Sequence, residues 1–142
     1  MATASGPVPV DPAGRGRLRG PSAAERFSVE VRPSDGVVVL LLSGELDHDT
    51  ADPLRQALAA ALAGAGPARL VVDCGGLRFC DSTGLNVLLR ARMAARAAGG
   101  GLEVAALPRP VARMFRLTGA DQVFRVHPDL EAALHDSDRT RT

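Results

Sequence analysis

The sequence has no lysine, no tryptophan and no tyrosine, and all seventeen of its basic residues are arginine. Without lysine there is no P-loop phosphate-binding lysine, no Schiff-base nucleophile and no protein-kinase lysine. Four phenylalanines are the whole aromatic content, so the core must be built from valine, leucine and alanine. Two cysteines, Cys74 and Cys80, and three histidines, His48, His127 and His135, show none of the spacing of a zinc site. They read as reduced thiols in a protein that binds no metal. The formal net charge is only +1, which lacks the basic excess expected of a nucleic-acid binder. The longest run of large aliphatics, Val37 to Leu42, falls far short of the roughly 20 residues a membrane span needs. Residues 1–24 lack the apolar stretch of about 7–15 residues that marks a signal peptide, so the expected compartment is the cytoplasm.

What is present fits one domain: 142 residues, of which 46% are apolar. Residues 1–24 are rich in Ala, Gly, Pro and Ser without hydrophobic period and read as a disordered leader, made mildly basic by Arg15, Arg17 and Arg19. Residues 25–136 carry the predicted domain, and residues 137–142 read as a frayed polar tail.

Within the domain, Phe27-Ser28-Val29-Glu30-Val31 alternates as a half-buried strand does. The turn signal Ser34-Asp35-Gly36 then leads into the apolar strand Val37–Leu42, giving an opening hairpin. Leu54, Leu58 and Leu62 make a helical stripe behind Pro53, with Asp49 or Thr50 as the expected cap. Leu70-Val71-Val72 is a short strand, and a loop through Gly75-Gly76 leads to Phe79-Cys80-Asp81-Ser82. The next helix places Leu85, Leu88, Leu89 and Met93 on its apolar side. Leu102–Ala105 is a strand; Val111, Met114 and Phe115 mark a third helix closed by Gly119. Val123–Val126 is a last strand, and a terminal helix from Pro128 buries Leu130, Ala133 and Leu134. Strands separated by helical patterns predict an α/β fold, with a mixed, mostly parallel sheet packed by about four helices.

Two segments sit at helix entrances: Ser43 to Ala51, and Phe79 to Leu85. In a parallel sheet such loops gather at the carboxyl ends of the strands, which brings Asp47, Asp81 and Ser82 toward one another. Asp47-His48-Asp49 fails the phosphatase pattern DxDx[TV], because Ala51 holds the fifth position. Ser82 lacks the GxSxG context of a hydrolase nucleophile. On spacing alone, Asp81 and Ser82 read equally as helix caps, and Asp47 as a turn residue.

Gly44-Glu45-Leu46-Asp47-His48-Asp49-Thr50-Ala51, together with Asp81-Ser82-Thr83-Gly84-Leu85, resembles the anti-anti-sigma factors, the anti-sigma factor antagonists of the STAS-domain family. Pro110, Val111, Met114 and Phe115 followed by Leu117-Thr118-Gly119 resembles that family's third helix and its ending. The resemblance covers about residues 27–134. It implies a STAS-type domain that is a regulator and not an enzyme, with no cofactor. It implies phosphorylation of Ser82, with Thr83 as the neighbouring alternative, by an anti-sigma factor that is itself a serine kinase. The unphosphorylated form would bind that partner and release its sigma factor, and a PP2C-type phosphatase would reset the switch. The implied partner-binding residues are Asp47, His48, Asp81, Ser82, Thr83, Gly84, Leu85 and Asn86. Cys80 departs from the family, which usually has a bulkier apolar residue such as Met there, and the leader is longer than a minimal member needs. The competing readings are a STAS scaffold or ligand-sensing module that does not act on an anti-sigma factor, and a small hydrolase using Ser82.

Overall fold

The structure is a computed structural model that describes residues 22–64 and 68–141. All but the last three residues of the predicted leader lie outside the described residues. A one-turn helix, α1 (Ala23–Arg26), runs directly into β1 (Phe27–Ser34), which pairs antiparallel with β2 (Val37–Leu46). Asp35 (φ 44°) and Gly36 (φ 81°) both take positive φ between them, as a tight type I′ hairpin requires. Next come α2 (Ala51–Leu62), β3 (Arg69–Cys80), α3 (Ser82–Ala97), β4 (Gly101–Ala105), α4 (Arg109–Thr118), α5 (Ala120–Val123), β5 (Val126–His127) and α6 (Leu130–Arg141).

The five strands lie in sequence order, and β2 to β5 are mutually parallel. The predicted mixed, mostly parallel sheet with an opening hairpin is what forms. Right-handed crossovers between sequential parallel strands put every crossover helix on the same face. Leu54 and Leu58 of α2, Leu85 and Leu88 of α3, and Val111 and Phe115 of α4 accordingly share one core with Leu40, Leu42, Leu46, Leu70 and Val72 of the sheet. The opposite face carries Val37, Val39, Val71 and Ala105, and α6 covers it with Leu130, Ala133 and Leu134. Six helices occur among the described residues, against the expected four; α1 and α5 are single turns of four residues.

Four local expectations are corrected. First, β3 does not stop at Val72. It continues to Cys80 through Gly75 and Gly76, pairing with Ser43 to Leu46 across two register shifts. The glycines serve close packing of strands here, since a Cβ on Gly76 would lie 2.7 Å from the Leu42 carbonyl oxygen. Second, Val123–Val126 is not a strand. The chain makes the turn α5 after Gly119 (φ 81°), and Phe124 turns inward against Phe115 with ring centroids 5.6 Å apart, leaving only Val126 and His127 to pair with β4. Third, Met93 is not on the buried side of α3; it is 68% exposed. Fourth, α6 begins at Leu130 rather than Pro128, and its backbone is helical through Arg141.

Candidate functional site

The carboxyl ends of β2 and β3 lie side by side, with Glu45 opposite Phe79 and Leu46 opposite Cys80. Both strands then turn into helices. The Asp81 N–H donates to the Leu46 carbonyl at 3.1 Å, so the two loops are stitched together by a backbone bond. The two sequence motifs therefore form one surface, as the topology predicts.

Ser82 is the first residue of α3 and is exposed. Asp81 is the N-cap, extended in backbone, and its Oδ1 accepts from the Gly84 N–H at 3.1 Å. The capping role weighed for Asp81 thus falls on it alone, and the Ser82 hydroxyl is left to face solvent. Thr83 is half-buried, and Asn86 is exposed one turn further along α3. Gly84 and Leu85 are buried, so their part is packing rather than surface contact. A Cβ on Gly84 would come within 2.6 Å of Leu46 Cγ and 3.0 Å of Cys80 Sγ, so only glycine lets α3 start this close to the sheet.

The loop Asp47–Thr50 is held from inside. Thr50 is fully buried; its hydroxyl donates to the Glu45 carbonyl at 2.8 Å and accepts from the Asp47 N–H at 2.8 Å. It therefore does not cap α2 as expected, because its oxygen is turned back toward the strand. Asp47 does the closing instead: its Oδ1 accepts from the N–H groups of Asp49 (2.9 Å) and Thr50 (3.1 Å). Its Oδ2 accepts from Arg26 Nη1 at 2.9 Å, and the same guanidinium nitrogen reaches Glu45 Oε1 at 3.2 Å. The hydrogen bond from Arg26 holds the Asp47 carboxyl below its ordinary pKa. His48 and Asp49 are exposed at the tip.

Arg26 belongs to this surface and carries no signal in the sequence; Glu45 and Phe79 lie in the two motif segments but were given no part in the contact. Phe79 is 49% exposed, an aromatic ring left at the rim beside Glu45. Its position within a strand that bends outward is visible only in the fold. An open groove of about 490 Å³ continues from Asn86 between α2 and α3, floored by Leu58, Leu62 and Val87 and flanked by Arg55 and Arg90.

Cys74 and Cys80 are free and buried on the helix side of β3. Burial pushes the Cys80 thiol up to about 12 and the Cys74 thiol higher still. Among the described residues no group of three or more His, Cys, Asp or Glu side chains is placed to hold a metal ion, and no hydrogen bond joins Ser82 to a histidine. No described helix is long and apolar enough to cross a membrane.

A family model described as "Mlab, STAS domain" matches residues 29–131. The chain belongs to the STAS-domain family. This STAS protein is 30% identical over 108 residues to the anti-sigma F factor antagonist of Paenibacillus polymyxa, a match covering 76% of this chain and 92% of that one. It is 31% identical over 115 residues to the anti-sigma-F factor antagonist RsfB of Mycobacterium tuberculosis, covering 80% and 91%. The crystal structure of an anti-sigma factor antagonist from Mycobacterium paratuberculosis superposes with a TM-score of 0.72 at 35% identity, covering 81% of this chain and 97% of that one. The family read from the two motifs is the family these comparisons return.

Proposed function

We propose that this STAS protein is an anti-sigma factor antagonist switched by phosphorylation of Ser82. With Ser82 unmodified it binds a cognate anti-sigma factor, a serine kinase, and releases the sigma factor held there. The kinase phosphorylates Ser82 and the complex dissociates; a PP2C-type phosphatase restores the binding form. The site holds its place in the chain as a docking surface in the cytoplasm, without a catalytic group of its own.

The observation that carries this reading is the exposed Ser82 hydroxyl at the first residue of α3, directly after the Asp81 cap. A kinase reaches that oxygen without unfolding anything. A phosphate there is favoured by the helix N-terminus and brings about −1.5 to −2 charges. The rim already carries Glu45, Asp47, Asp49 and Asp81. Two added charges about 8 Å from a partner carboxylate, at an effective dielectric of about 20, repel by roughly 4 kcal/mol before salt screening. A hundredfold loss of affinity needs only about 2.7 kcal/mol. Repulsion at the surface is therefore sufficient, and the fold need not change. Asp47, His48, Thr83 and Asn86 surround Ser82 in the contact, Phe79 supplies apolar area, and Gly84 and Leu85 hold α3 in place behind it.

The test is the intact mass after incubation with an anti-sigma kinase and ATP, followed by peptide mapping. One phosphoryl group on Ser82, absent in Ser82→Ala, is the expected result. Modification of Thr83 instead moves the switch by one residue. A chain that neither takes phosphate nor binds the kinase is a STAS scaffold or ligand-sensing module.

A further inference from the structure

The turn that precedes the sheet carries a cation aimed at the proposed docking surface. Ser22 and Glu25 form a reciprocal capping box: the Ser22 N–H donates to Glu25 Oε1 at 2.7 Å, and the Glu25 N–H to Ser22 Oγ at 3.3 Å. This closes α1 and delivers Arg26 at its end. The backbone of Arg26 is then seated on Gly44 of β2. Gly44 has φ 101°, and a Cβ there would overlap the Arg26 carbonyl. From that seat the guanidinium meets three carboxylates: Asp47 at 2.9 Å, Glu45 at 3.2 Å and Asp49 at 3.9 Å. Only 22% of the Arg26 side chain is exposed, so this is a partly desolvated contact rather than a loose surface pair.

We propose that Arg26 is a positioning residue of the partner-binding surface, clasping the Asp47–Thr50 loop in its binding geometry and making the Ser22–Arg26 turn part of the switch. The inference rests on the functional reading above. Two features make the clasp more than a local ion pair. Asp47 is gripped at both oxygens, by Arg26 on one and by the Asp49 and Thr50 amides on the other, so its orientation is fixed only while both grips hold. The loop is also bonded to the phosphosite through the Leu46 carbonyl and the Asp81 N–H, so displacement at Asp47 reaches the residue before Ser82. Without Arg26, Glu45, Asp47 and Asp49 repel one another across five residues of chain, and Arg78, exposed, pairs with Glu45 at 4.0 Å but, among the described residues, with neither Asp47 nor Asp49. Lysine would supply the charge and one nitrogen, but not the second guanidinium nitrogen, Nη2, that reaches Asp49 while Nη1 bridges Asp47 and Glu45.

The experiment uses the full chain and a purified anti-sigma factor of the serine-kinase type, by calorimetry well below the melting temperature. The forms are wild type, Ser82→Asp, Arg26→Ala, Arg26→Gln and Arg26→Lys. Arg26→Ala and Arg26→Gln are expected to bind at least tenfold more weakly than wild type, with Arg26→Lys in between. The backbone amide resonances of Asp49 and Thr50 should move in Arg26→Ala before any partner is added. A purely structural clasp would lower the melting temperature and leave the affinity of the folded protein unchanged. If Arg26→Ala does not fold, Arg26→Gln and Arg26→Lys carry the comparison. If wild type binds, Ser82→Asp weakens binding and the Arg26 variants bind as wild type, the clasp is refuted and the functional reading stands. If wild type does not bind, the functional reading fails and takes the clasp with it.

Discussion

Replacing Gly84 with alanine separates two forces that oppose each other. Gly84 lies in the first turn of α3, where its helical backbone needs no special φ. By helix propensity alone, alanine would stabilise this site by up to about 1 kcal/mol. The packing says otherwise. The new methyl would sit 2.6 Å from Leu46 Cγ, 2.8 Å from Leu46 Cδ2 and 3.0 Å from Cys80 Sγ. Leu46 is 0% exposed and Cys80 7%, so neither has open space to retreat into. Overpacking of this kind costs about 1–3 kcal/mol, and two blocked neighbours put it in the upper half of that range. The net expectation is a loss of about 1–2 kcal/mol after subtracting the propensity gain. For a domain this size that lowers Tm by about 4–8 °C. The assay is thermal and urea unfolding of wild type and Gly84→Ala. A variant more stable than wild type by about 1 kcal/mol would mean that propensity governs the site, and the close approach of α3 to β2 would be wrong.

Three further outcomes follow from the same surface and core. Asp81→Ala removes the one side-chain bond to the Gly84 N–H and should cost about 0.5–2 kcal/mol in urea unfolding, while Asp81→Asn should recover most of it. Asp47 has its folded pKa held below the ordinary 3.8 by the Arg26 hydrogen bond, so its contribution is fully present above its unfolded pKa and is lost as pH falls through the lower folded value. Urea midpoints of wild type and Arg26→Ala should therefore differ most near neutrality and converge on acidification; a constant gap down to about pH 2 would show that Asp47 is not the partner that matters. Cys74 and Cys80 are buried thiols with raised pKa values, so the folded protein should react slowly with a disulfide reagent at pH 8 and the unfolded chain should release two thiols; rapid reaction of the native protein would contradict their burial.

The parts of the fold that were legible in the sequence are those set by neighbours in the chain. Alternation at Phe27–Val31, the Asp35-Gly36 turn, the Leu54 and Leu58 stripe and the Gly119 cap each encode their element within a few residues. The misread parts depend on residues far apart. Gly75 and Gly76 carry the local signal of a loop, yet β2 lies against them and turns them into strand. Thr50 carries the signal of a cap, yet the bend after β2 offers its hydroxyl the Glu45 carbonyl first. Ser82 and Asp47 could be picked out because the motif is local at each and the parallel topology brings the two together. Arg26 could not, because it meets Asp47 from 21 positions away and only after Gly44 admits its backbone. The exposure of Phe79 at the rim was hidden by the same long-range pairing that extends β3.

In the proposed switch, one phosphoryl group on Ser82 controls binding through the surface alone. The direct measurement is calorimetry of the wild type and its Ser82 phosphoprotein against the same anti-sigma factor, with the thermal unfolding of both forms alongside. Phosphorylation is expected to weaken binding by about a hundredfold or more, roughly 2.7 kcal/mol, while the melting temperature stays nearly constant. Equal affinities would contradict the switch, and a loss of affinity accompanied by unfolding of the phosphoprotein would contradict the mechanism.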